Sequence, residues 1–354
     1  LKGLFMKTSW LGAAVLLPLL SACDAYSSIK VDSVQVSSEQ ANAIKTNIQT
    51  LYPDITLQEQ QAIADVAVKA IENLVFVEGG SFDMGDFKAP CEIPSRTFER
   101  IDWSPENDCY SGPSAMLSGG GFIHKVTLDA YSIAKYETTY ADMEVMRKVS
   151  GLPLADQNLD GTPRDRDSKE FKERLKKLNT YAAFTKTWQD AKNYCQWLGD
   201  ITALPFDLPT EAQWEYAACS RGQNLYFATN NGYLQLEGGS YYNPETGYWV
   251  DYQDEEVNAP KRLTNVDAFP PNPLGVYGMS NQVAEWVNDW YAKDYYQHSP
   301  KHNPQGPESG TEKVQRDGSG VTMTFSRLHS SDYDRYRVGV SFRCAVQQTA
   351  SVML

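Results

Sequence analysis

The sequence is poor in histidine, cysteine and positive charge. Its 354 residues hold 4 histidines. His124 has no second ligand-type residue at helix or hairpin spacing and reads as a structural or exposed side chain. His298 and His302 are four apart and could share a helix face, but Ser299, Pro300 and Pro304 around them argue for loop. Lys and Arg number 32 against 45 Asp and Glu, a formal net charge of -13. With no basic stripe to neutralise phosphates, nucleic-acid binding is excluded as a main activity. No nucleophile-elbow sequence is present, and of 6 cysteines none falls between Ser220 and Arg343. Long apolar runs are missing as well. The stretch Trp10 to Leu20 is too short to span a bilayer comfortably.

That short run has another reading. It follows Met6 and Lys7 and ends in Leu20, Ser21, Ala22, Cys23, the pattern of a bacterial lipoprotein signal in which Cys23 becomes the acylated first residue. The expectation is a lipid-anchored, periplasm-facing protein of the bacterial cell envelope, with the membrane as one partner through its anchor. Asp24 resembles the signal that retains such proteins in the inner membrane. Residues 1–23 are then signal peptide and 24–75 a tether with an amphipathic helix. Thr56 and Glu59 form a capping box, and Ile63, Val66, Ala70, Ile71 and Leu74 share one helix face.

A hydrophobic content of 42% is enough for a real core. Phe76 to Asp86 reads as strand and turn, and His124 to Met143 as strand alternation followed by Thr139 placed to cap a helix. Thr187 and Asp190 make a second capping box before Trp188, Ala191, Cys195 and Leu198, with Gly199 as the stop. Thr210 and Gln213 make a third, opening a helix with Trp214, Ala217 and Ala218 on one face and Gly222 as its stop. Tyr226 to Asn272, rich in Gly, Asn, Tyr and Pro, reads as mostly loops. Glu211 and Glu215 lie four apart, a tempting acid and base pair, but on a capped helix they are expected to be solvated or bonded to backbone.

One insertion carries oxygen ligands at calcium-loop spacing. Asp156, Asn158 and Asp160 with Gly161 take the first, third, fifth and sixth positions, and Asp167 the twelfth. Asp at the last position reaches less far than Glu, so the segment reads either as a calcium site or as an acidic surface turn.

Taken as a motif, LPTEAQWEYAA from Leu208 to Ala218 resembles the signature of the formylglycine-generating enzyme family, the sulfatase-modifying-factor superfamily. NPLGVYGMSNQVAEWVNDWY from Asn272 to Tyr291, RDGSG at Arg316 to Gly320 and GVSFRCAV at Gly339 to Val346 resemble the same family. The resemblance covers about residues 76–346, with 347–354 a tail. It implies an α+β domain, formylglycine-generating-enzyme-like and C-type-lectin-like, with low regular secondary structure; the residues alone support α+β.

The resemblance carries further expectations. It places a structural calcium at Glu285 with backbone oxygens near Asn281 and Val283, although Asn281 and Gln282 stand where the family has Gly-Asn; otherwise Glu285 bonds backbone amides of the turn. It pairs Cys195 with Cys344 and leaves Cys219 free for want of its usual partner; Cys91 and Cys109 are expected to pair within their insertion. The family's oxidases bind copper through two thiolates ahead of the terminal Phe-Arg-Cys. That stretch has no cysteine here, so no copper is expected. Family members without that chemistry include lipoproteins of secretion and motility machines and immunity proteins against delivered toxins. The reading is therefore a scaffold used for recognition of a periplasmic protein, through surfaces such as Tyr241 and Tyr242; the competing reading is a metal-dependent oxidoreductase with a different site.

Overall fold

The computed structural model describes residues 28–87, 119–152, 179–225, 227–230, 240–243, 248–251, 265–280, 283–317, 323–330 and 340–352, with scattered positions between 168 and 176. The first element lies where a tether was expected. Helix α1, Ser38–Leu51, is capped by the Ser37 hydroxyl, which accepts from the Gln40 amide, and it buries Ile44 and Ile48, four residues apart on one face. The polar composition of the segment hides a helix with a narrow apolar stripe. Helix α2, Leu57–Glu72, carries the expected Thr56 and Glu59 capping box and buries Ile63, Val66 and Ile71.

Two four-stranded sheets frame the domain. The first has the order β1, Leu74–Val77; β4, Tyr131–Ala134; β12, Ala345–Val346; and β5, Phe206–Asp207, all antiparallel. Its third position is filled by β12, the last strand among the described residues. The second sheet runs β10, Arg327–Ser330; β9, Lys313–Arg316; β8, Glu285–Trp290; and β11, Ser341–Phe342, with β11 parallel to β8. Two smaller pairs join β2, Gly80–Met84, to β3, His124–Leu128, and β6, Ser240–Asn243, to β7, Tyr248–Asp251. The last pair lies within Tyr226 to Asn272, the segment read as mostly loops.

Helix α3, Tyr140–Val149, starts at Thr139, whose hydroxyl accepts from the Asp142 amide. Helix α4, Trp188–Thr202, has the Thr187 and Asp190 box but does not stop at Gly199. It runs on to Ala203, which takes the left-handed conformation at φ 57° and donates its N–H to the Gly199 carbonyl. Gly199 serves packing instead, since a Cβ there would lie 3.1 Å from the Leu204 carbonyl oxygen. Helix α5, Glu211–Ala218, likewise ends at Cys219, before Gly222, and Ser220, Arg221 and Gly222 all have positive φ. At Gly222 a Cβ would meet Phe82 Cβ at 2.3 Å, so the bend is closed by contact with β2.

Helix α1 also completes α4. The last carbonyls of a helix have no partner of their own. Here Asn47 Nδ2 donates to the Ile201 carbonyl at 3.1 Å and Gln40 Nε2 donates to that of Thr202. A disulfide between Cys195 and Cys344 then fastens α4 to the segment joining β11 and β12. One apolar core gathers α1, α2 and α4 around Trp286, Phe342 and Val346, and a second gathers β2, β3 and α5 around Val276, Val287 and Val314.

If α1 is a structural part of the domain, Ile48→Ala should destabilise the chain by about 2–5 kcal/mol, whereas the same change in a tether would do almost nothing. Urea denaturation of wild type and variant measures the difference.

Candidate functional site

Every residue of α5 is buried, which leaves no solvent face for its two glutamates. Glu211 and Glu215 are each 1% exposed, so the expectation that they are solvated is corrected. Their charge is met from the second sheet. Arg316 on β9 and Arg327 on β10 are register partners, and both reach α5. Arg316 Nη1 lies 3.1 Å from Glu211 Oε1 and its Nη2 2.9 Å from Glu215 Oε2, while Arg327 Nε lies 2.8 Å from Glu211 Oε1. The Tyr296 hydroxyl donates to Glu211 Oε1 at 2.9 Å, and the Gly85 amide to Glu215 Oε1 at 2.8 Å.

The two acids respond differently to this environment. Burial raises the Glu211 carboxyl, but Arg327 and Arg316 together outweigh it and hold the group below the usual range. At Glu215 burial wins over Arg316 and the group is raised. A third acid, Asp289 on β8, accepts the Glu211 amide N–H at 2.7 Å. Burial, with the Glu211 charge beside it, pushes Asp289 up to about 7.

Glu285, on the first residue of β8, is held the same way. Because Ser341 pairs with Glu285 in the parallel ladder, Arg343 two residues on reaches its carboxylate: Nη2 to Oε1 is 2.6 Å and Nε to Oε2 is 2.7 Å. Trp214 Nε1 donates to Oε2 at 3.1 Å. The carboxylate expected to hold calcium, or else backbone amides, thus takes a bidentate guanidinium and an indole N–H. Arg343 Nη2 also stands 3.6 Å from Glu137 Oε2.

The other expected residues are dispersed. Cys195 is bridged to Cys344, and Cys219 is free and buried at the end of α5, its thiol pushed by burial up to about 12. A thiol held protonated to that extent is a poor nucleophile and a poor metal ligand. His124 packs on Tyr296 with ring centres 4.6 Å apart. His302 turns to Asp129 at 3.1 Å and His298 to Asp294 at 3.9 Å. Tyr241 and Tyr242 lie on β6. Cys23, Asp24, Cys91, Cys109, the segment Asp156, Asn158, Asp160 and Asp167, and the pair Asn281 and Gln282 all lie outside the described residues. Reasoning from sequence missed Arg316, Arg327, Arg343 and Asp289. The available signal was the place of Arg316 and Arg343 inside the RDGSG and GVSFRCAV motifs and of Asp289 inside the stretch from Asn272 to Tyr291; Arg327 carried none.

A family model, the sulfatase-modifying factor enzyme 1-like domain, matches residues 59–352. The chain belongs to that family. The formylglycine-generating enzyme of Mus musculus is 34% identical over 165 residues, which are 47% of this chain and 40% of that protein. The chaperone protein LppX of Paenibacillus barcinonensis is 29% identical over 243 residues, 61% of this chain and 81% of that one. Among solved structures, PvdO from Pseudomonas aeruginosa superposes with a TM-score of 0.51 at 22% identity, covering 78% of this chain and 94% of that chain, a likeness of fold. The match to the mouse enzyme spans well under half of that protein's length. The family domain begins inside α2, so α1 precedes it.

The buried cluster generates two expectations. Arg316→Met leaves Glu215 without its guanidinium and Glu211 with one fewer, and should destabilise the fold by about 3–5 kcal/mol by chemical denaturation. Asp289 holds its proton more tightly in the folded chain than in the unfolded one, so the folded state binds the extra proton between about pH 4 and pH 7. Its contribution is therefore present at acid pH and is lost as pH rises through 7. Asp289→Asn should remove that component, and the fall in melting temperature from pH 5 to pH 8 should be shallower in the variant. An identical slope in the two proteins would rule out the assignment.

Proposed function

We propose that this protein is a lipid-anchored, periplasm-facing module that uses the sulfatase-modifying-factor scaffold to recognise another protein, without copper-dependent oxidase chemistry. The observation that carries the reading is the fate of the reactive groups around α5. The glutamates are consumed by arginines, and Cys219 is buried and protonated. A copper ion of the family type needs a pair of soft thiolates, and between Ser220 and Arg343 the sequence supplies none. The donor set does not fit that metal.

What the scaffold retains suits binding. It keeps its capped helices, its disulfide and an aromatic-rich hairpin segment in which Tyr241 and Tyr242 stand on β6. Aromatic anchors of this kind supply a large share of interface energy. The likeness to LppX, described as a chaperone protein, supports a binding role. Cys23 in its lipobox setting supports attachment to the envelope, with Asp24 favouring the inner membrane. In this reading the partner is an envelope or secretion-machine component or a delivered toxin, and a calcium ion at Asp156 to Asp167 would serve stability alone.

The test combines three measurements. Purified protein supplied with copper should leave a sulfatase-type cysteine peptide unchanged by mass spectrometry. Cys23→Ala should move the protein from the membrane to the soluble fraction. A photocrosslinker at the hairpin in living cells should capture one dominant protein, and Tyr241→Ala with Tyr242→Ala should reduce that capture at unchanged melting temperature. Turnover of the peptide, or of a small molecule in proportion to a bound metal, would establish the oxidoreductase reading instead.

A further inference from the structure

On the side of the domain formed by α2, α3 and α4 lies a cleft of about 290 Å³. Its floor is apolar, made by Val66 and Ala70 of α2, Tyr194 and Leu198 of α4, and Phe206 of β5. The rim is polar. Asn73 follows α2, Asp142 lies in the first turn of α3, and Asn179 and Asp267 come from the connections facing them, while Glu137 is a fully buried part of the lining. The size is at the small end for organic ligands and matches a single long side chain.

Two properties of the rim define what would fit. The side chains of Asn73, Asn179 and Asp267 make no hydrogen bond or ion pair with any described residue, so amide and carboxylate groups stand ready around an apolar well. Among the described residues the lining carries three carboxylates, Glu137, Asp142 and Asp267, against one ammonium, Lys69, which already lies 2.7 Å from Asp142. Among the described residues, neighbouring charges do not reverse the sign. Arg343 is held by Glu285 as well as by Glu137, and Lys135 turns its ammonium to the rings of Tyr136 and Tyr277 at 5.3 Å each.

We propose that this cleft binds an aliphatic cation: an ammonium or guanidinium on a short apolar stem, carried by the basic side chain of a peptide or by a free diamine. The stem covers Val66, Ala70 and Leu198, as the methylenes of lysine and arginine cover apolar surface elsewhere. The charged head reaches Asp267 and the amides of Asn73 and Asn179, which its donors satisfy. The net charge of -13 raises the local concentration of any such cation at low ionic strength. The site stands independently of the recognition reading, since none of its residues belongs to the hairpin invoked there.

Calorimetry on the whole protein tests it with three probes: 1,4-diaminobutane, a blocked Ala-Arg-Ala peptide and 1,4-butanediol as the neutral control. At least one cation should bind and the diol should not. Asp267→Asn, an exposed change that leaves the fold intact by melting temperature, should weaken that binding about tenfold, and Asn179→Ala should weaken it further. Binding of the diamine alone assigns a free small molecule, and binding of the peptide alone assigns a partner chain. No heat with either cation, equal binding of the diol, or affinity unchanged in Asp267→Asn overturns the proposal.

Discussion

The fold depends on a buried electrostatic bargain around α5. Glu211, Glu215 and Asp289 enter the interior with Arg316 and Arg327, and the arginines arrive as register partners on adjacent strands. A charge taken out of water is tolerable only when its partner and hydrogen bonds are in place. That requirement ties the helix to the second sheet, to Tyr296 and to the turn at Gly85 at once. It gives the region one arrangement, because displacing any member leaves another uncompensated. Acidic side chains that would suit proton transfer are in this chain committed to holding the architecture.

Trp214 links this cluster to the second one. Its ring lies under the Arg316 guanidinium at 5.1 Å, and its indole N–H points at Glu285, which Arg343 grips in turn. The parallel pairing of β11 with β8 makes the second grip possible, since it places Arg343 beyond the rung that Ser341 shares with Glu285. A Lys313 ammonium between the rings of Trp188 and Trp290, at 3.6 and 3.7 Å, joins α4 to the same sheet. Charge and aromatic surface are thus paired more than once around the two glutamate clusters.

Local features were legible from the sequence. The capping boxes at Thr56, Thr187 and Thr210 form between residues three apart, so their geometry is written in a short window. The apolar face of α2 was legible for the same reason. The residues alone reached α+β; the formylglycine-generating-enzyme-like form of that fold and the Cys195 to Cys344 bridge came from resemblance to a family, since nothing in local spacing joins residues 149 apart. The burial of Glu211 and Glu215 could not be read, because their partners lie about a hundred residues downstream and a glutamate on a helix ordinarily faces water. Helix α1 was missed because two isoleucines in a polar segment are a thin signal until α4 supplies the surface they cover. Gly199 misled because glycine serves close approach as readily as it serves a helix stop.

The position of β12 bears on how the protein is made. Residues 345–346 sit between β4 and β5, so the first sheet has a gap in its interior until the chain has been made as far as β12. Before then β4 and β5 each present an open edge, and the rung that joins Ala345 to Ile133 brings together residues far apart in the sequence. A polypeptide emerging from a ribosome or a translocation channel cannot close this sheet early. Completion waits for β12, and a chain ending before Ala345 would lose the strand that joins β5 to the pair of β1 and β4.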